Sequence, residues 1–242
     1  MKSALLVSGV LAASIASAGT VQWTRDSRMA AAHPVHAARA HATPVRGTGV
    51  LQFFIDQPSF DSSVGDPSAL ASESFDGGAT DFEQCEEPVG SASDDLCFTP
   101  GELVDGFALT SSSGTGIVLL PSEFLGAGQA SAVVGAINFA DTTNVAFAPT
   151  VTAVSAQVYG GQSPDPVDIE VFDENGTSLG TTTVSPTEVD APLFFGVISA
   201  TPIGQIVFTA ENDGGELIDD LRFGAVGTSV PDEIFKDGFE TI

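Results

Sequence analysis

The chain has 242 residues and a formal net charge of −25 at pH 7, with only seven Lys and Arg among them. Lys2, Arg25, Arg28, Arg39 and Arg46 face Asp26 alone before Gly49, whereas 31 carboxylates follow it with Arg222, Lys236 and no histidine. An acidic domain without histidine excludes Ser-His-Asp and Cys-His catalysis, and its charge repels nucleic-acid phosphates and anionic membrane surfaces.

The chain opens with the pattern of an export signal. Met1-Lys2 supplies a positive start, Ala4 to Ile15 an apolar run, and Ala16-Ser17-Ala18 an A-x-A cleavage site. A run of about twelve residues is too short for a bilayer core of roughly 30 Å. No later stretch predicts a transmembrane segment in the mature chain. The expectation is a signal peptide over residues 1–18 and a mature protein that is secreted or held at the cell surface.

Residues 19–48 are rich in Ala, His, Arg and Pro and show no strand period. They read as a flexible basic linker. His33, His36 and His41 also fit a metal-catching tract, although nothing here fixes ligand geometry.

Residues 49–225 suit one acidic domain with a single core, followed by a tail over 226–242. Short apolar segments alternate with turn chemistry, and no long helical period is present. The predicted strands are Val50–Ile55, Ala71–Phe75, Gly106–Ser111, Gly116–Leu120, Ala132–Phe139, Asn144–Phe147, Val151–Tyr159, Val167–Phe172, Ser178–Val184, Leu193–Ile198, Gln205–Thr209 and Leu217–Phe223. Asp173-Glu174-Asn175-Gly176 predicts a hairpin with positive φ at Asn175 and Gly176. Along Val151–Tyr159, Thr152, Val154, Ala156 and Val158 share one face. So many short strands in one domain predict an all-β fold, an antiparallel, jelly-roll-like β-sandwich.

Cys85 and Cys97 enclose the polar segment EEPVGSASDDL. In an exported protein this predicts a disulfide closing a loop. A metal pair is the alternative, but two thiols alone fall short of a tetrahedral zinc site.

The series ESFDGG (73–78), CFTPGELVDGFALTS (97–111), LFFGVIS (193–199), PIGQIVFT (202–209) and ELIDDLRFG (216–224) resembles the extracellular β-sandwich domain of PEP-CTERM-type bacterial secreted proteins. The chain departs from that family at its end, PDEIFKDGFETI. It lacks the PEP motif, and the ending is similar to the IFxDGFE endings of other bacterial secreted proteins. The resemblance to jelly-roll modules implies a structural Ca²⁺ joining an early strand to the last one. The matching residues are Asp76 after Phe75 and the pair Asp219 and Asp220, with Glu73 nearby. Calcium wants six to eight oxygen ligands, which carboxylates and carbonyls supply. Independently, Asp219 and Asp220 point to opposite faces of a strand, so one faces inward, where an unpaired carboxylate is costly. Both could instead sit at a wet rim, or Arg222 could pair with one of them.

Carbohydrate recognition usually needs an aromatic platform. Trp23 lies in the linker, which leaves Tyr159, the only Tyr, as the candidate ligand contact. The 17 phenylalanines read more simply as core. The sequence thus points to a non-enzymatic binding or adhesion module, calcium-stabilised, whose partner is an extracellular polysaccharide or a surface or matrix protein. The alternative is a polysaccharide-acting enzyme, or a carbohydrate-binding accessory domain, using exposed carboxylates.

Overall fold

A computed structural model describes residues 51–226. The expected signal peptide, the basic linker and the IFKDGFE ending lie outside the described residues. The strands are β1 (Leu51–Phe54), β2 (Ala71–Glu73), β3 (Glu83–Cys85), β4 (Val89–Gly90), β5 (Phe107–Ser111), β6 (Ile117–Leu120), β7 (Val133–Ala136), β8 (Thr143–Gly160), β9 (Val167–Asp173), β10 (Ser178–Val184), β11 (Leu193–Ala210) and β12 (Glu216–Gly224). One helix, α1 (Gln57–Val64), follows β1. Every strand pair is antiparallel.

Two long strands build the sandwich by serving both layers. Residues 151–160 of β8 pair with 193–198 of β11 and with β12, whereas residues 143–147 pair with β5 and with 205–208 of β11. One layer therefore runs β1, β11, β8, β12, with β2 and β7 on the far edge of β12 and β6 and β3 beyond. The other runs β10, β9, β11, β8, β5, β4. The change of layer falls at Pro149 and Pro202, which lack the amide that a continuous ladder needs, and the register shifts there. Each long strand was expected as two. The all-β antiparallel sandwich itself is as the sequence predicts.

Between the layers, Val154, Ala156 and Val158 of β8 meet Phe195, Phe208, Ile169, Ile218, Leu221 and Phe223. Phe195 and Phe208 pack edge to face at 6.0 Å between centroids. Burying each such ring contributes roughly 1.5–3 kcal/mol. The first layer is also covered on its outer face, at two places. At one end α1 lays Phe60 and Val64 over Ala153 and Leu70. At the other, Phe124 and Leu125 of the 121–132 segment cover Tyr159, Leu217 and Val133.

Helix α1 is absent from the sequence expectation, though its signals are present. The Asp56 carboxylate accepts from the Ser59 amide at 2.9 Å, Pro sits in the first turn, and Gly65 closes the helix at φ 84°. At eight residues it is short, and its apolar face is little more than Phe60 and Val64. The Asn-Gly hairpin is also different from expectation. Only Gly176 takes positive φ, because the Asp173 side chain accepts from the Asn175 and Thr177 amides, both at 2.8 Å, and widens the loop. Those amides, Thr177 first, hold the Asp173 carboxyl below its usual range.

The Cys85–Cys97 disulfide is formed, with Cα atoms 5.4 Å apart. It fastens the end of β3 to the segment leading into Phe98 and Leu103, both buried. Cys85→Ala/Cys97→Ala is expected to lower stability by ~3 kcal/mol through freed chain entropy. A melting temperature unchanged by reduction of the wild-type protein would contradict this.

Candidate functional site

The outer face of the first layer is not uniform. Along β8, Ala153 lies under α1 and Tyr159 under the 121–132 segment, so Ser155 and Gln157 are left between the two covers. They form the floor of an open groove of about 240 Å³, walled by Gln57, Phe194, Asp220 and Arg222. The walls come from α1, β11 and β12, which brackets the groove with three different elements.

Arg222 ties two of these walls together. Its Nη1 donates to the Asp61 carboxylate at 2.8 Å and its Nη2 to the Pro67 carbonyl at 3.3 Å. The guanidinium carbon also stands 5.9 Å from the Phe60 ring centroid, a cation–π distance. Phe60 in turn contacts Phe194, at 5.8 Å between centroids. Phe194 is half-buried and presents the aromatic wall.

Asp220 reaches the groove through a bulge. Asp219 pairs with Gln157 and Arg222 with Ser155, so three steps on β12 match two on β8. Asp220, the extra residue, takes φ 48°. The bulge keeps Ile218, Leu221 and Phe223 all inward and turns Asp220 out. The Asp220 carboxyl accepts no hydrogen bond among the described residues, and its pKa is raised by desolvation and by Asp76, against the pull of Arg222.

Beside the groove lies an acidic corner containing the expected calcium ligands. Asp219 is buried, not by facing inward as alternation predicted for one of the pair, but on the outer face beneath the segment that carries Ser131. Its Oδ2 is held by the Ser131 hydroxyl, and its Oδ1 by the Asp220 amide at 2.6 Å. Desolvation pushes its carboxyl up to about 7, and Asp220 and Asp76 add to the rise. Asp76 accepts from the Ala132 amide at 2.8 Å. Asp190 accepts from the Gly128 amide at 3.0 Å. These three carboxylates thus fasten one segment, 126–132, to the body of the sandwich.

Glu73 does not join them as a ligand. It is 7% exposed and its two oxygens take the Phe75 and Val104 amides at 2.8 and 2.9 Å. That clamp holds Phe75 at φ 58° and sets the direction of Asp76. Among the described residues no three His, Cys, Asp or Glu side chains are gathered to hold one metal ion. Asp219 has both oxygens engaged, by the Ser131 hydroxyl and the Asp220 amide, and Asp76 has one engaged by the Ala132 amide, so the expected ligands are not gathered into one shell. EDTA and millimolar calcium at matched ionic strength are therefore expected to give the same melting curve. A calcium-specific rise abolished by Asp76→Ala would return the ion to this corner.

Tyr159 is not a ligand platform. It is 3% exposed and packed among Phe139, Leu217 and Val133. Burial, with the charges of Asp219, Asp220 and Asp190, raises its hydroxyl pKa. The aromatic ring that lines the groove is Phe194.

Fold and site together define an all-β antiparallel sandwich with a polar groove on one outer face. No family model matches the chain, and no curated protein does. Among solved structures it is similar to CsCBM6-3 from Clostridium stercorarium in complex with cellobiose, at 18% identity and TM-score 0.33, covering 61% of this chain and 98% of that one. It is also similar to a mutant of CBM29-2, a family 29 carbohydrate-binding module, at 12% identity and TM-score 0.31, covering 63% and 98%. A third is the enzymatically active domain of bacteriophage CBA120 tailspike protein 4, at 12% and 0.29, where the match spans 19% of that chain. Likeness at this level bears on neither ligand nor activity, which have to be argued from the groove itself.

Proposed function

We propose that this chain is an exported, non-catalytic binding module that holds a hydroxyl-rich glycan in the groove between α1 and the 121–132 segment. One observation carries the proposal: the groove floor contains a buried hydroxyl, Ser155, that has no partner in the described residues. Buried polar groups are almost always satisfied, and a ligand is the natural source of the missing bond at the base of an open groove. Phe194 offers an apolar face to sugar C–H groups. Asp220 accepts, Arg222 donates, and Gln57 and Gln157 do both. These are complementary to hydroxyls at several angles.

Two features support binding over hydrolysis. A glycosidase needs a proton-carrying carboxyl and a second carboxylate flanking the bond. Glu216 and Asp219 are the carboxyls pushed up toward neutrality or above it, yet each is 1% exposed, Glu216 bonded to Thr143 and Asp219 turned onto Ser131. Asp220 is the sole carboxylate of the groove lining. Export is proposed from the first eighteen residues, and the disulfide suits an oxidising compartment.

Retention on insoluble polysaccharides, scored together with the release of reducing ends, tests this reading. The expected result is retention on at least one neutral polysaccharide without new reducing ends, weakened several-fold in Gln157→Ala. Reducing ends that vanish in Asp220→Asn would make the protein an enzyme. No retention on any glycan would leave the groove without its proposed ligand.

A further inference from the structure

Resting on the glycan reading, we infer that the groove selects uncharged glycan chains over uronates, and that Ser155 is the residue that reads the ligand at its deepest point. Ser155 is 0% exposed. It is flanked in the sheet by Gly196 on β11 and Arg222 on β12. A Cβ at Gly196 would stand 2.8 Å from the Phe60 ring, so this side of the floor has no room for a side chain that could satisfy the hydroxyl. Arg222 is drawn the other way, toward Asp61 on α1. The Oγ atom therefore lies at the base of the groove, closed to solvent and without a hydrogen-bond partner among the described residues, so a ligand hydroxyl reaches it by parting the side chains above it.

Charge decides what can approach it. The guanidinium of Arg222 is already matched by Asp61 at 2.8 Å. Asp220 adds a second carboxylate beside the same groove, with no other cation among the lining residues. The local balance of Asp61, Asp220 and Arg222 is negative, and residues 50–242 as a whole carry −29. A uronate would bring a further negative charge against Asp220, and the charge of the one guanidinium in reach is already matched by Asp61. Hydroxyls donate to Asp220 and accept from the remaining N–H groups of Arg222, which still has donors beyond the two it uses.

The unpaired Ser155 hydroxyl gives the inference a signature of opposite signs. In the free protein the buried group is a cost, so Ser155→Ala removes that cost and raises the melting temperature by about 2–4 °C. In the complex the same change deletes a bond, and affinity falls about tenfold. A serine with a purely structural role would lose stability on truncation and leave affinity alone.

The test uses the mature full-length chain, with calorimetric titration and affinity electrophoresis at near-physiological salt. The probes are mixed-linkage β-glucan, xylan and galactomannan against polygalacturonate and alginate. The expected result is binding to a neutral polymer, none to the uronates, and the opposite shifts in Ser155→Ala. Asp220→Asn should weaken neutral binding, since it removes a charged acceptor, and admit a uronate that the wild type rejects. Uronates binding as tightly as neutral chains would overturn the selection, and Ser155→Ala with unchanged affinity or a lowered melting temperature would overturn the role of Ser155. In either case the glycan reading survives. If the wild type binds none of the five polymers, both readings fall.

Discussion

The melting temperature is expected to be highest in mild acid and to fall steadily between pH 5 and pH 8, chiefly because of Glu216. Its carboxyl is 1% exposed at the start of β12. It accepts from the Thr143 hydroxyl at 2.8 Å and from the Ala210 amide at 3.1 Å. Burial pushes its pKa from 4.5 up to about 8, with Asp141 adding to the rise and the hydrogen bonds only partly opposing it. Below pH 4.5 the group is protonated in folded and unfolded chains alike, so it adds no pH-dependent cost. Between 4.5 and 8 the unfolded chain ionises and the folded one does not, which favours unfolding. Above 8 both are ionised and the cost stays level. At 1.36 kcal/mol per pKa unit the whole loss is on the order of 5 kcal/mol. Asp219, held up to about 7, changes stability in the same direction. Glu216→Gln keeps the shape and removes the ionisation, its one oxygen accepting from the Ala210 amide while its NH2, like the O–H of the protonated acid, turns to the Thr143 hydroxyl oxygen. It is expected to match the wild type at pH 4.5 and to melt well above it at pH 8. Parallel melting profiles across that range would show that Glu216 ionises freely in the folded protein.

Arg222→Ala is expected to damage fold and groove together. It removes the 2.8 Å bond to Asp61, the bond to the Pro67 carbonyl and the packing on Phe60. Asp61 and Arg222 are only 27% and 15% exposed, so the pair is less screened than a surface bridge. A stability loss of roughly 2–3 kcal/mol follows from losing charge-assisted bonds in a partly buried setting. With α1 loosened from β12, the Gln57 and Phe194 walls lose their spacing. Glycan affinity should drop at least a hundredfold, about 2.7 kcal/mol. Arg222→Lys is the useful companion, since a lysine keeps the charge but lacks the planar fork, and it should recover stability more than binding. A full rescue of both by lysine would mean that charge alone is what Arg222 supplies.

Much of this architecture was legible because strand signals are local. Ser178–Val184 and Phe107–Ser111 could be read from alternation and turn chemistry within a residue or so. The shared face of Thr152, Val154, Ala156 and Val158 followed from period two alone, and the structure turns the last three into the core. Alternation predicted that one of Asp219 and Asp220 faces inward, but the bulge breaks it: both lie toward the outer face, and Asp219 is buried there by the segment that carries Ser131. Layer changes were not legible. Pro149 and Pro202 read as strand ends, since a missing amide looks the same in sequence whether the chain turns or bends onward. Helix α1 was missed because Phe60 and Val64 are too few to set a period, although Asp56, Pro58 and Gly65 mark its ends.

The sequence by itself determined the acidic, histidine-free character of the domain, its all-β class, the expectation of a disulfide and which residues along Val151–Tyr159 share a face. Those depend on composition and on spacing along the chain. The groove was decided by tertiary structure. Ser155, Phe194 and Arg222 are far apart in sequence, and their neighbourhood depends on strand register, on the bulge at Asp220 and on where α1 and the 121–132 segment stop covering the sheet. The same holds for Glu73, Glu216 and Tyr159. A carboxylate's partners and a ring's exposure are properties of what packs against them, and no local pattern encodes that.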